Sequence, residues 1–213
     1  RNKLFVDWRK LNVLGRVYIA SEGINAQISI PEHLIKKFKT KLTSNKKFKK
    51  VQFKNAFIEG QSFLKLTIKV KNEIVAYNIS NDAFNMKKVG NHLDYKQFNK
   101  AIEDGAIIVD MRNYYEGEVG RFQNAIIPDV SQSKKLLPEV EKLLTENKND
   151  KILMYCTGGI RCEKASSYLI KAGYKDVNQL KGGIIQYAHD IRKNNVKSKF
   201  IGKNFVFDHR MGE

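Results

Sequence analysis

Lys151-Ile152-Leu153-Met154-Tyr155-Cys156-Thr157-Gly158-Gly159-Ile160-Arg161 is the stretch on which the fold turns. Its first part, 151–155, is apolar and predicts a strand buried on both faces. Two glycines interrupt it, and a helical pattern starts near Cys162 and ends before Gly173. Strand, tight turn and helix in that order put Cys156 at the strand tip, facing a helix N-terminus. Backbone N–H groups converge there and the helix dipole favours negative charge. Arg161 adds a permanent positive charge nearby, so Cys156 is expected to ionise below the ordinary thiol value of about 8.5 and to be nucleophilic at neutral pH. The same cysteine also reads as a buried, inert thiol, although glycines and an arginine are poor walls for an apolar pocket.

Outward from this stretch the pattern alternates. Helices are expected over 95–103, 138–146, 162–172 and 184–194, and strands over 106–110, 151–155 and 177–180. Short Ile-, Leu- and Val-rich strands separated by helices predict an α/β domain, a parallel sheet covered on both faces, with ligands beyond the carboxyl ends of its strands. Cys156 and Asp110 both lie at such ends. The first part of the chain reads differently: a helix carrying Leu4, Trp8 and Leu11 and stopped by Gly15, strands over 16–20 and 26–30, a helix over 31–42, and strands over 51–56 and 63–70. With 63–70 as its last element this is αββαβ, a ferredoxin-like α+β plan without its opening strand. A preceding strand is expected, because it would cover an exposed sheet edge. The organisation is therefore 1–75 as a small α+β domain, 76–90 as a linker, 91–195 as the α/β domain, and 196–213 as a basic C-terminal extension.

The 213 residues carry 39 basic and 22 acidic side chains, a net charge of +17. Such an excess points to a polyanionic partner, nucleic acid first. Lysine outnumbers arginine 31 to 8, as an AT-biased coding sequence would also produce, so clustering matters more than the total. Nine lysines and no acid stand between Lys36 and Lys54, among them Lys46, Lys47, Lys49 and Lys50, the candidate RNA contacts. Arg192, Lys193, Lys197, Lys199 and Lys203 form a second run without acids. Lysines grip phosphates as point charges, which gives salt-sensitive affinity and little base readout; a merely solvated face is the alternative. No stretch approaches the roughly 18 uninterrupted apolar residues of a membrane span. Two cysteines make no disulfide framework, and a reducing cytoplasm is expected. His33, His92, His189 and His209 show no metal-ligand spacing, so no metal is expected, and no cofactor is visible.

Asp110-Met111-Arg112-Asn113, followed by Glu116, Gly120, Phe122, Ala125 and Pro128, is similar to the early signature of rhodanese domains, the sulfur-transfer fold. Residues 154–166, from Met154 through Cys156-Thr157-Gly158-Gly159-Ile160-Arg161-Cys162 to Ser166, resemble one branch more specifically: the bacterial tRNA uridine hydroxylases, which modify wobble uridine at C5 with molecular oxygen. Gly15-Arg16-Val17-Tyr18, residues 22–29, Gly182-Gly183-Ile184 and residues 200–208 extend the resemblance over essentially the whole chain. That family usually begins with an extra strand and often continues into a cysteine-rich segment, neither of which lies in these residues. The resemblance implies that Cys156 is the catalytic, persulfide-type nucleophile. Arg161 and the backbone of Thr157, Gly158, Gly159 and Ile160 would be its anion cradle. Asp110, Arg112 and Glu116 match the signature and read as a salt-bridged brace for the loop rather than as reacting groups. Cys162 either resolves an oxidised Cys156 by disulfide formation or is a small core residue. Glu22 and Asn25 make a turn between strands or face RNA.

Hydroxylation of a tRNA uridine in the anticodon region, with oxygen as cosubstrate, is the first functional reading. Sulfur transfer through a Cys156 persulfide is the second, and the loop supports it equally. The loop of cysteine phosphatases also pairs Cys with Arg around converging amides. Those enzymes use a longer spacing and usually a preceding His, whereas four residues separate Cys156 from Arg161 here and Tyr155 comes before it. A non-catalytic RNA-binding module would leave the reactive loop unexplained. Nothing in the sequence sets the oligomeric state.

Overall fold

The computed structural model describes all residues except 50, 52, 56, 58, 61, 208–211 and 213. Its main body divides into two compact units, Arg1–Ile74 and Val75–Val206. No described helix is long and apolar enough to cross a membrane.

In the first unit α1 (Asn2–Arg9) precedes a hairpin of β1 (Leu14–Ala20) and β2 (Gly23–Ser29), then α2 (Ile35–Thr43) and β3 (Leu66–Val70). β1 is central, antiparallel to β2 and parallel to β3. Trp8, Leu11, Val17, Phe38, Leu42 and Ile68 fill the core, with the Trp8 ring edge-on to Phe38 at 4.9 Å. The expected αββαβ order is present, with three local corrections. The first helix does not run to Gly15. Asn12 adopts φ +52° and the Val13 amide turns back to the Trp8 carbonyl at 3.1 Å, a left-handed stop that asparagine tolerates. No described residue of 51–56 is in a strand; Phe53 instead packs edge-on to Phe38 at 6.4 Å. The last strand begins at Leu66 rather than at Phe63. Residues 21–22 join the hairpin, and a Glu22 carboxylate oxygen accepts from the Ile74 amide at 3.0 Å.

The second unit has a four-stranded parallel sheet in the order β4 (Asn91–Leu93), β8 (Asp176–Leu180), β7 (Lys151–Tyr155), β5 (Ile107–Asp110). Leu153 and Tyr155 of β7 face a core closed by α3 (Tyr95–Glu103) and α7 (Gly183–Lys193), through Phe98, Ala101, Ile184 and Tyr187. Ile152 and Met154, pointing the other way, are equally buried, so both faces are covered. α6 (Ile160–Lys171) follows β7 and packs on β7 and β8. α5 (Ser133–Leu143) begins five residues before the expected start, with Pro138 in its interior. Buried Leu136, Leu137 and Val140 set one apolar face that outweighs the single hydrogen bond lost to the exposed Lys134.

Two segments differ from the sequence reading more deeply. Residues 76–90, expected as a linker, are anchored onto α6. Tyr77 is buried, the Asn85 amide donates to Ser167 at 2.8 Å, and the Gly90 amide donates to Ser166 at 2.9 Å. Residues 196–206 do not trail off. β9 (Phe200–Gly202) pairs antiparallel with β6 (Gly120–Phe122), which follows α4 (Tyr114–Val119), and the Phe200 and Phe122 rings meet edge-on at 5.3 Å. Lys199 is paired to Glu103 at 2.9 Å, and in the first unit Lys41 is paired to Asp7 at 2.8 Å, so neither basic run is free of acids in space. Three-residue strands carry too little alternation to be read, and their pairing spans most of the unit.

Candidate active site

Cys156 follows the last residue of β7, at the carboxyl end of the sheet, and the loop after it is held from two sides. Gly159 takes φ +93°, which turns its amide onto the Cys156 sulfur at 3.1 Å and opens α6. From the other side the first amides of α7 close on the loop: Ile184 N–H donates to the Cys156 carbonyl at 3.0 Å and Ile185 N–H to the Thr157 carbonyl at 3.2 Å. That approach is possible only over a residue without a side chain. A Cβ on Gly183, whose φ is +69°, would lie 2.5 Å from the Cys156 carbonyl oxygen.

Two buried ion pairs brace this loop. Arg112 Nε and Nη2 donate to the Asp110 carboxylate at 2.8 and 2.6 Å, Nη2 also donates to the Gly120 carbonyl at 2.6 Å, and the Tyr155 hydroxyl donates to Asp110 at 2.8 Å. Asp110 and Arg112 have no exposed surface; Arg112 Nη1 is a buried donor without a hydrogen-bond partner. Arg161, in the first turn of α6, donates through Nη1 and Nη2 to Glu116 at 2.6 and 2.9 Å, and Nη2 also approaches Thr157 Oγ1 at 3.3 Å. Glu116 in turn accepts from the Asn113 amide at 3.1 Å. Asp110 and Arg112 thus pair with each other, whereas Glu116 pairs with Arg161. Arg161 differs from the expected anion cradle: both its terminal nitrogens are committed to Glu116, so it acts on Cys156 as a fixed charge.

The thiol that results is acidic. Burial alone would push it up, but a hydrogen bond from the Cys162 thiol, the Arg161 charge and the loop amides outweigh that and hold Cys156 at about 5. Cys162 goes the other way. Burial and the neighbouring Cys156 keep its proton on well beyond the ordinary thiol range. Both sulfurs are wholly buried. The loop residues 158–161 that follow the sulfur are half-buried.

Sequence reasoning missed Tyr77. Its hydroxyl donates to the Arg161 carbonyl at 2.9 Å, burial raises its pKa strongly, and both cysteines add to the rise. The one available signal was the short apolar run Ile74-Val75-Ala76-Tyr77. Lys46, Lys47 and Lys49 are exposed on the first unit, and Lys50 lies outside the described residues, as does His209. Among the described residues no three His, Cys, Asp or Glu side chains gather as a metal site.

A parallel sheet presenting an activated cysteine in a glycine turn ahead of a helix defines a rhodanese-like domain. Residues 94–190 match the family described as the Rhodanese-like domain, and residues 1–74 match the UPF0176 acylphosphatase like domain. Over its whole length the chain is 53% identical to the tRNA uridine(34) hydroxylase of Leptospira interrogans and 45% identical to that of Photorhabdus laumondii. It spans 59% and 61% of the length of those two relatives. Among solved structures, a rhodanese-like domain from Anabaena aligns with a TM-score of 0.41 at 19% identity, covering 52% of this chain and 78% of that one.

Proposed function

We propose that this chain carries the catalytic cysteine of a tRNA-modifying enzyme that hydroxylates wobble uridine at C5, with molecular oxygen as cosubstrate. The observation that carries the reading is that likeness to the named hydroxylases runs through the first unit as well as the Cys156 loop. The loop alone would serve sulfur transfer as well. In the proposed chemistry the Cys156 thiolate adds to uracil C6, which makes C5 enolate-like and able to take up oxygen. Loop amides and the fixed Arg161 charge support the anionic ring. The wobble base is unpaired in the anticodon loop and can be splayed out at small unstacking cost. Exposed Lys46, Lys47 and Lys49 supply non-specific phosphate contacts, and a reducing cytoplasm keeps the thiols ready.

The test is nucleoside mass spectrometry of tRNA from cells lacking the protein, complemented with the wild type or with Cys156→Ser. The expected result is that 5-hydroxyuridine returns only with the wild type. Undiminished 5-hydroxyuridine with Cys156→Ser ends the reading. Normal tRNA in the deletion strain, together with thiosulfate-dependent persulfide turnover by the protein, would favour sulfur transfer instead.

A further inference from the structure

Addition of the Cys156 thiolate to uracil C6 sends the C5–C6 electron pair toward C4 and its oxygen O4. The step that starts the chemistry therefore puts negative charge on O4, and a donor fixed beside that oxygen would speed it. We infer that the Thr157 hydroxyl is that donor, a catalytic residue that hydrogen-bonds uracil O4 and stabilises the enolate. The inference rests on the hydroxylase reading of the site.

Three observations carry it. Thr157 follows the nucleophile directly in the chain, just past the carboxyl end of β7, where ligands of parallel sheets bind. Its place is also fixed. The Ile185 amide holds its carbonyl at 3.2 Å, and its β-branched side chain, only 7% exposed, has few rotamers open to it. The third observation is an account of protons. Other hydroxyls around the loop and along α6 give theirs to the protein: Tyr77 to the Arg161 carbonyl at 2.9 Å, Tyr155 to Asp110 at 2.8 Å, Ser166 to the Glu163 carbonyl at 3.1 Å and Ser167 to the Asn85 carbonyl at 2.7 Å. Thr157 Oγ1 instead accepts, from Arg161 Nη2 at 3.3 Å, and among the described residues its own proton meets no acceptor.

Arg161 makes this hydroxyl a better donor. Glu116 clamps the guanidinium through two bonds at 2.6 and 2.9 Å, so the N–H that reaches Thr157 is held in place. An occupied lone pair turns the O–H away from the cation, and a charged donor on the oxygen polarises the O–H bond that remains. The donor is thus oriented before charge appears on O4, which lowers the barrier rather than merely binding substrate. In the step itself the Cys156 sulfur bonds to C6, the C5–C6 π pair moves between C4 and C5, and the C4–O4 π pair moves onto O4. Thr157 keeps its proton throughout, so the step neither oxidises nor reduces any group.

The experiment crosses the residue with the atom. Intact wild-type, Thr157→Val and Thr157→Ser proteins are compared on tRNA carrying uridine or 4-thiouridine at the wobble position, in air-saturated extract of cells lacking the protein. Hydroxylated nucleoside is read by mass spectrometry, and the Cys156 thiolate of each purified protein by its absorbance across pH. On uridine, Thr157→Val should lose about 10²-fold in kcat with little change in KM. Thr157→Ser keeps the hydroxyl and should stay close to wild type, and the thiolate midpoint should be unmoved in both variants. Sulfur at C4 is a poor acceptor, so on 4-thiouridine the gap between wild type and Thr157→Val should close. Full activity of Thr157→Val on uridine overturns the inference. So does a Thr157→Ser protein as slow as the valine variant, or an equal loss on both substrates. A thiolate midpoint displaced in step with the loss also overturns it, because the hydroxyl would then act through Arg161. In each of these cases the hydroxylase reading stands. A wild type that forms no 5-hydroxyuridine overturns both.

Discussion

Around the Cys156 loop Asp110, Arg112 and Glu116 are wholly buried and Arg161 half-buried, each joined to a specific partner at 2.6 Å, whereas Lys46, Lys47 and Lys49 of the first unit stand in solvent. A desolvated charge without a partner is too costly to keep, so each buried group fixes the position of another, and the cysteine inherits that geometry. Exposed lysines are under no such demand. They act through their summed field, which salt screens and which tolerates rearrangement. Positions in the first set should therefore fail singly and hard, and those in the second weakly and together.

The sharpest way to break this comparison is Asp110→Asn, which leaves Arg112 charged and buried opposite a neutral amide. A loss of about 3–5 kcal/mol is expected in chemical denaturation, and a loss below about 1 kcal/mol would place that pair with the surface ones. Gly183→Ala comes next. Its Cβ meets the Cys156 carbonyl oxygen at a positive φ, so about 1–3 kcal/mol of stability should go. The displaced loop should also lower thiolate reactivity.

A smaller effect is expected at the sulfur itself. Thiolate absorbance in the wild type should rise with pH through a midpoint near 5 and be level by neutrality. Cys162→Ala removes a donor that favours the charged form, so the midpoint must move upward. A rise of about one pH unit corresponds to about 1.4 kcal/mol. An unmoved midpoint would show that the two sulfurs are not coupled. Smallest in stability is the triple change Lys46→Glu, Lys47→Glu, Lys49→Glu, which should alter unfolding by about 0.5 kcal/mol or less. It should nevertheless weaken tRNA binding and flatten its dependence on salt. Unchanged affinity would make that run a solvated face.

How far each element could be read follows from how locally it is specified. β7 and α3 fall where their apolar runs put them, and the Asp94–Gln97 capping box at the start of α3 is written in four consecutive residues. Cys156 at a strand end, before a glycine turn, was legible for the same reason. The Glu116–Arg161 pair was not, because its members are 45 residues apart and either could have met solvent. Tyr77 stands in an apolar run of only four residues, and its hydroxyl is engaged by Arg161 of α6, which lies far along the chain. The sequence misplaced the start of α5 at Pro138 because proline favours first turns, while the apolar face formed by Leu136, Leu137 and Val140 outweighed that preference.

By itself the sequence determined the two-part plan, the parallel sheet of the second part and the place of Cys156 at a strand end before a glycine turn. These rest on periodicity and turn chemistry, which act over a few residues at a time. Only the tertiary structure decided that Arg161 is tied to Glu116, that both cysteines are wholly buried, and that β9 pairs with β6 from far earlier in the chain. Those outcomes depend on which distant groups lose water together, a condition that no local window of residues contains.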